Sequence, residues 1–179
     1  MWLKSPKKTG KWTTINKIAL NQDDISQYFA KYLIDVMQDQ KEILYSIDVK
    51  AKGKGKQGGG LHFMVSGNKV ADGYGLGKSY LVWVTEDPAN SFLSSDKTFV
   101  QLYESVNDNK MSNLASYALE DDMNEGISLQ VLYKDGEVTV YANGKEVFSV
   151  EGAPMKGNAI ALRAMKGPIE FSNLSIKTK

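Results

Sequence analysis

The chain of 179 residues contains no cysteine, which excludes disulfides, thiol nucleophiles and zinc sites built on cysteine, and leaves the redox compartment undecided. Its one histidine, His62, rules out a histidine-rich metal site within a single chain. No stretch approaches the roughly 18 consecutive apolar residues that a membrane-crossing helix needs. Charge is nearly balanced at a formal +1, so the global positive field that captures nucleic acid is absent and no such partner is expected. The start, Met1-Trp2-Leu3-Lys4-Ser5-Pro6-Lys7-Lys8, is basic, but neither an apolar run nor a small-residue cleavage site follows it. The expectation is either a cytoplasmic protein or a mature segment behind an added methionine.

What is present suits one soluble domain. An apolar fraction of 42% in a chain of this length is enough for a sizeable core. Ile127, Leu129, Val131 and Tyr133 alternate with Ser128 and Gln130, as a strand with one buried face does. Lys134-Asp135-Gly136 then supplies a turn, Val138 and Val140 resume the alternation, and Asn143-Gly144 is a strong hairpin signal before Val147, Phe148 and Val150. Three strands on two tight turns predict an antiparallel meander.

Further strands are expected at Ala159–Ala164 and, after the break at Lys166-Gly167-Pro168, at Ile169–Ile176, with an irregularity near Ser172-Asn173. Ile43–Val49, Leu61–Val65, Tyr80–Val84 and Phe99–Tyr103 read the same way. In Leu61–Val65 the alternation sets Leu61, Phe63 and Val65 against His62 and Met64. Roughly ten strands at this spacing predict an all-β, two-sheet antiparallel sandwich. One segment departs from the pattern. Ile25, Phe29, Tyr32, Leu33, Val36 and Met37 recur at three and four residues, which predicts a helix over 24–38 capped by Asp23 or Asp24; β-branched Ile34 and Val36 leave room for a strand.

Ile43-Leu44-Tyr45-Ser46-Ile47-Asp48-Val49-Lys50 followed by Gly59-Gly60-Leu61-His62-Phe63 resembles the extended strand and Gly-Gly-aliphatic-x-Phe passage of concanavalin A-like jelly-roll domains. Leu129–Lys145 resembles their central hairpin, and Ile160–Arg163 with Ile169–Ile176 their final strand pair. The likeness is nearest to laminin G-like and bacterial 3-keto-disaccharide-hydrolase-like members and covers Ile43–Ile176. It implies a single sandwich domain over 1–179, with 1–42 a less typical N-terminal segment. It also implies a lectin, adhesion or carbohydrate-binding role outside the cytoplasm, in the periplasm or at the cell surface.

Candidate chemistry is sparse. Retaining glycosidases on such a sandwich carry a Glu-x-Asp-x-x-Glu type of motif on a central strand. Here Thr85-Glu86-Asp87-Pro88 and Tyr103-Glu104-Ser105 offer no two carboxylates at strand spacing, and no enzyme is expected. Gly73-Tyr74-Gly75-Leu76-Gly77-Lys78-Ser79 resembles phosphate loops only superficially. A P-loop needs glycine where Asp72 stands, a dinucleotide motif needs it at Lys78, and a strand follows where a helix should. Tyr74, Tyr80 and Trp83, in or beside this loop, carry faces suited to sugar rings, although core packing is the commoner role for a mid-strand tryptophan.

His62 and Arg163 are predicted to alternate away from the core aliphatics. The resemblance makes that face the concave, ligand-bearing one, so with Gln101 they are candidate polar floor residues. Lys50, Lys52, Lys54 and Lys56, if extended, form a basic ribbon for an anionic partner; a solvated hairpin tip is the plainer alternative. Glu120, Asp121 and Asp122, with Glu125, are candidates for Ca²⁺, but match no fixed calcium loop and read more simply as a solvated acidic turn. Two functions follow as expectations: a glycan-binding module, or an assembly module of a bacterial surface or periplasmic structure binding protein partners. A glycoside hydrolase ranks behind both.

Overall fold

The computed structural model describes residues 7–15, 18–23, 29–53, 56–67, 69–70, 72–86 and 97–178. Among them every regular element is a strand: β1 (Lys7–Thr9), β2 (Trp12–Ile15), β3 (Ile18–Asn21), β4 (Ala30–Gln38), β5 (Glu42–Ala51), β6 (Gly58–Ser66) and β7 (Lys78–Thr85) in the first half. The second half contributes β8 (Thr98–Asn107), β9 (Lys110–Leu119), β10 (Ile127–Lys134), β11 (Glu137–Ala142), β12 (Lys145–Glu151), β13 (Gly157–Met165) and β14 (Ile169–Thr178). They form two seven-stranded sheets. The first runs β1-β4-β13-β6-β7-β8-β9 and the second β12-β11-β10-β5-β14-β3-β2. The chain crosses between sheets at β1–β2, β3–β4, β4–β5, β5–β6, β9–β10, β12–β13 and β13–β14, as in a jelly-roll sandwich.

The meander forms as its turns dictate. Asp135 and Gly136, then Asn143 and Gly144, all adopt positive φ, the mirror-image turn whose twist matches the flanking strands. Pairing of β10 with β11 runs from Leu129↔Ala142 to Lys134↔Glu137 without a slip, because a one-residue shift would expose Leu129, Val131 and Tyr133. The expected irregularity in β14 is also present, between Ser172 and Ser175.

The core between the sheets is rich in aromatic rings. Phe63 lies 5.1 Å from Tyr45, 5.5 Å from Tyr80 and 6.4 Å from Tyr133, and Trp12 lies 5.6 Å from Tyr32 and 5.8 Å from Phe171. Their hydroxyls stay satisfied. Tyr45 donates to Gln38 Oε1 (2.7 Å) and Tyr80 to the Ala153 carbonyl (2.7 Å).

Two readings from the sequence are corrected here. Ala30–Gln38 is a strand, not the distal part of a helix; 24–28 lie outside the described residues. β4 lies inside the first sheet, paired with β1 and β13, and from Ala30 to Ile34 it is buried on both faces. Double burial gives a continuous apolar run in which spacings of three and four arise by chance, and β-branched Ile34 and Val36 suit the pleat. In β6, Met64 takes φ 54° and the register slips between Phe63 and Ser66. This bulge turns Met64 into the inter-sheet core and Val65 to the outer side, reversing the alternation expected beyond Phe63. The Met64 N–H freed from the ladder donates to Gln38 Oε1 at 3.0 Å.

The run Gly58-Gly59-Gly60 has a packing cause. A Cβ on Gly60 would strike the Val82 carbonyl oxygen and one on Gly58 the Trp83 ring, so the two outer-facing glycines seat the indole flat on the sheet. Gly59 faces inward, where a Cβ would meet methyl groups of Ile169 and Val49 at 2.8 Å. Gly60→Ala should therefore destabilise the fold by about 2–3 kcal/mol, since backbone must move, and Gly59→Ala by less, since side chains can yield. Urea denaturation midpoints of the two variants check the order.

Candidate ligand cleft on the outer face of the first sheet

Directly opposed residues of neighbouring strands share a face. The register therefore lines up one transverse row across all seven strands of the first sheet: Thr9, Lys31, Arg163, Gly60, Trp83, Gln101 and Ser116. Inward-facing Ile160, Leu162, Val82 and Leu102 alternate with it, which puts the row on the face away from the core. Because Gly60 has no side chain, Arg163 reaches across it and lays its guanidinium over the Trp83 ring, 4.8 Å from the centroid. Gln101 continues the row, donating to Ser116 Oγ (3.0 Å) and accepting from the Tyr103 hydroxyl (3.0 Å).

The glycine loop before β7 folds over one half of this face. Its glycines serve close backbone approach: a Cβ on Gly73 would strike the Asp108 carbonyl and one on Gly75 the Asn107 carbonyl, both in the β8–β9 turn. Gly75 N–H donates to the Asp108 carbonyl (2.9 Å), Gly77 N–H to Asp108 Oδ1 (2.8 Å) and Leu76 N–H to Ser105 Oγ (2.9 Å). Leu76 packs beneath with Leu33, Val65, Ala159 and Ala161 as a small second core. The loop thereby roofs Lys31, whose Nζ donates to the Gly73 carbonyl at 2.8 Å, and His62.

The uncovered half is a cleft of about 350 Å³. Trp83, Gln101 and Arg163 form its floor, Tyr103 a wall, and exposed Tyr74 and Lys110 its rim. Tyr74 is 60% exposed and held edge-on to Phe29, ring centroids 5.0 Å apart.

Of the six residues expected to meet a ligand, four therefore converge here: Tyr74, Trp83, Gln101 and Arg163. His62 lies on the same face but is fully buried under the loop. Tyr80 is corrected to a core residue: it is three positions from Trp83, hence on the opposite face, and is stacked on Phe63. Sequence reasoning missed Tyr103, although it is two residues beyond Gln101 on the same strand, and so on the same face. It also missed Lys110 and Met111, because the turn-rich Asn107-Asp108-Asn109 was not read as the tip of the β8–β9 hairpin.

The other candidate groups lie elsewhere. Lys52 pairs with Glu170 (3.5 Å), Lys50 faces the same glutamate across the β5–β14 ladder, and Lys54 lies outside the described residues. Lys56 lines a separate cleft of about 410 Å³ with Glu86, Glu120, Asp121 and Asp122. There the Glu120 carboxylate is engaged by Lys97 (2.9 Å), and Asp122 accepts from the Asn124 N–H (2.7 Å). Burial raises the Glu86 pKa, with the Asp122 charge adding to it. Among the described residues no three of His, Cys, Asp and Glu converge as metal ligands would. Asp87 is outside the described residues.

Electrostatics on the floor are one-signed. Burial pulls Arg163 down to about 10 and Lys31 to about 8, the latter helped by the Arg163 charge and opposed by Asp108 and Asp72. His62 is held well below its ordinary 6.5 by burial, then by Arg163 and Lys31. Ser79 Oγ donates to the Leu76 carbonyl (2.8 Å), so the 3.1 Å contact with His62 Nδ1 assigns the proton to Nδ1. Nε2 is then a bare, buried lone pair with no hydrogen-bond partner.

No protein-family model matches the chain, and no curated protein matches it by sequence. Solved structures do match in fold. The carbohydrate-binding module CBM66 from Bacillus subtilis superposes with a TM-score of 0.76 at 15% identity, covering 97% of this chain and 95% of that one. A legume lectin-like domain from Entamoeba histolytica gives 0.62 at 11% identity, covering 97% and 90%. A protein of Parabacteroides distasonis described as a glycosyl hydrolase gives 0.61 at 13%, covering 94% and 90%. At these identities the likeness establishes the fold alone, a two-sheet jelly-roll sandwich.

Of the three depressed groups, His62 and Lys31 fix the sign of the pH response below pH 10. As pH falls through 6.5 the unfolded chain protonates His62 and the folded one resists, so stability falls below about pH 6.5. Between about 8 and 10.5 the unfolded chain keeps the Lys31 proton that the folded one sheds, so stability rises with pH. Above 10.0 buried Tyr45 and Tyr80, both shifted up, oppose the rise that depressed Arg163 continues. Each group contributes at most about 1.4 kcal/mol per pH unit. Denaturant titrations across pH should show both limbs, with His62→Gln flattening the acid one and Lys31→Met the alkaline one.

Proposed function

We propose that this protein is a non-catalytic carbohydrate-binding domain that takes its ligand in the cleft over Trp83 and Arg163. The observation that carries this reading is the Tyr74 ring, 60% exposed at the rim of a cleft floored by an indole and hydrogen-bonding side chains. Aromatic faces beside a few directed polar groups suit a sugar ring, with its apolar CH face and equatorial hydroxyls. The lectin-like fold is in keeping with this, and relatives in fold include a carbohydrate-binding module and a lectin-like domain.

Absence of catalysis is part of the proposal. Among the described residues no aspartate or glutamate lines the cleft: Glu104 lies on the inward side of β8, its charge felt by core-facing Tyr80, and Glu86 lines the other cleft. A glycosidase needs two carboxylates flanking the scissile bond. The assembly reading draws less support. Tyr32 is buried, Phe29 is half-buried against Tyr74, and the exposed large apolar residues among those described (Ile18, Met37, Tyr74 and Val106) belong to separate strands and loops. Lys56 already shares a cleft with the acidic turn of its own chain. The laminin G-like or 3-keto-disaccharide-hydrolase-like grouping, and a periplasmic or cell-surface location, are carried only by the resemblance and stand as part of this proposal.

A glycan array followed by calorimetry on the best binder tests the reading. Tyr74→Ala should weaken binding about tenfold with an unchanged denaturation midpoint, as loss of one stacking contact predicts. Equal affinity in Tyr74→Ala, or no glycan bound by the parent protein, would overturn the cleft assignment.

A further inference from the structure

The Arg163 side chain has an unusual deficit. It is only 5% exposed, yet no carboxylate pairs with it in the ion pairs of the described residues. Its Nε is buried with no hydrogen-bond partner, and one terminal nitrogen meets only the Met111 sulfur, at 3.8 Å. The acidic groups whose fields reach it are the phenols of Tyr103 and Tyr74, with no carboxylate among them. The Trp83 face contributes attraction, but removing a cation from water costs several kcal/mol, and a ring face returns only a part.

The neighbourhood adds to the deficit. Lys31, next in the row and also fully buried, is a second cation of the same sign, although it donates to the Gly73 carbonyl and feels the Asp108 and Asp72 charges. His62, buried under the glycine loop on β6, offers no negative charge. Lys110 stands at the cleft rim, and the described lining residues include no acidic side chain. The other mixed-charge clefts differ: Lys56 and Lys97 share theirs with Glu86 and Asp121, and Lys50 shares its own with Asp48 and Glu170. In this cleft the two lining cations, Arg163 and Lys110, meet no carboxylate among the described lining residues.

Resting on the glycan reading of the same cleft, we propose that its ligand is an acidic sugar, a uronate or sialate residue whose carboxylate docks on Arg163 while the ring lies against Trp83 and Tyr74. A guanidinium presents paired donors at carboxylate spacing, and Trp83 fixes its plane, so little order remains to be imposed on binding. Neutral hydroxyls can occupy such a site, but they leave the buried Arg163 charge uncompensated. A carboxylate supplies what the chain omits.

The test uses the intact protein and matched probes: oligogalacturonate, oligoglucuronate and sialyllactose, each as the free acid and as its methyl ester, with neutral and sulfated oligosaccharides beside them. Calorimetry should show one acid form binding at least tenfold tighter than its ester, with affinity falling as salt rises. Arg163→Lys should erase that preference, and Lys110→Ala, at an exposed position, should weaken the acid form a few-fold and flatten its salt dependence. Should the Arg163 variant fail to fold, the acid–ester comparison on the parent protein decides alone. Equal binding of acid, ester and neutral sugars overturns the acidic assignment and leaves the glycan reading intact. Preference for sulfated sugars over carboxylated ones overturns the carboxylate, and binding of none overturns both readings.

Discussion

A buried guanidinium lying on an indole face, across a glycine, organises the first sheet. Arg163 and Trp83 belong to strands that are not neighbours; they meet because Gly60 between them carries no side chain. The contact flattens Trp83 into a floor, fixes the guanidinium and sets the depth of the cleft. The glycine loop could not close over the whole face without displacing it. It covers the Lys31 and His62 half and stops, leaving Tyr74 at the border. Fold and site thus share one constraint, the absence of a Cβ at Gly58 and Gly60.

The fold was largely legible because its cues are local. Paired positive-φ turns and strict alternation dictate the meander, and they need no tertiary information. What escaped depended on context. Strand β4 reads as helical because a loop distant in sequence buries its second face, which no local pattern announces. The bulge at Met64 reverses two residues, since the Gln38 amide accepts the freed N–H from across the molecule. β9 escaped because an edge strand buries little, and Lys110–Leu119 is correspondingly polar and small.

The site was legible in part for the same reason. Alternation put Gln101, His62 and Arg163 on the outer face, and composition marked Tyr74 and Trp83. Alternation also had the information to exclude Tyr80, three residues from Trp83 on a regular strand, and to include Tyr103. Uncompensated charge was not legible: whether Arg163 meets a carboxylate depends on the register of four strands. A global charge of +1 hides a local surplus in the cleft, balanced by acidic turns elsewhere.

The central claim is that ligand binds on the outer face of the first sheet, over the Arg163–Trp83 contact. Amide and indole NMR spectra of the labelled protein, titrated with its best array glycan, address it most directly. The account predicts shifts of the Trp83 indole N–H and of amides around Tyr74, Tyr103 and Lys110, with the Trp12 indole, hydrogen-bonded to the Thr9 carbonyl in the core, unmoved. Shifts centred instead on the second sheet, around Leu44, Leu132 and Tyr141, would contradict it.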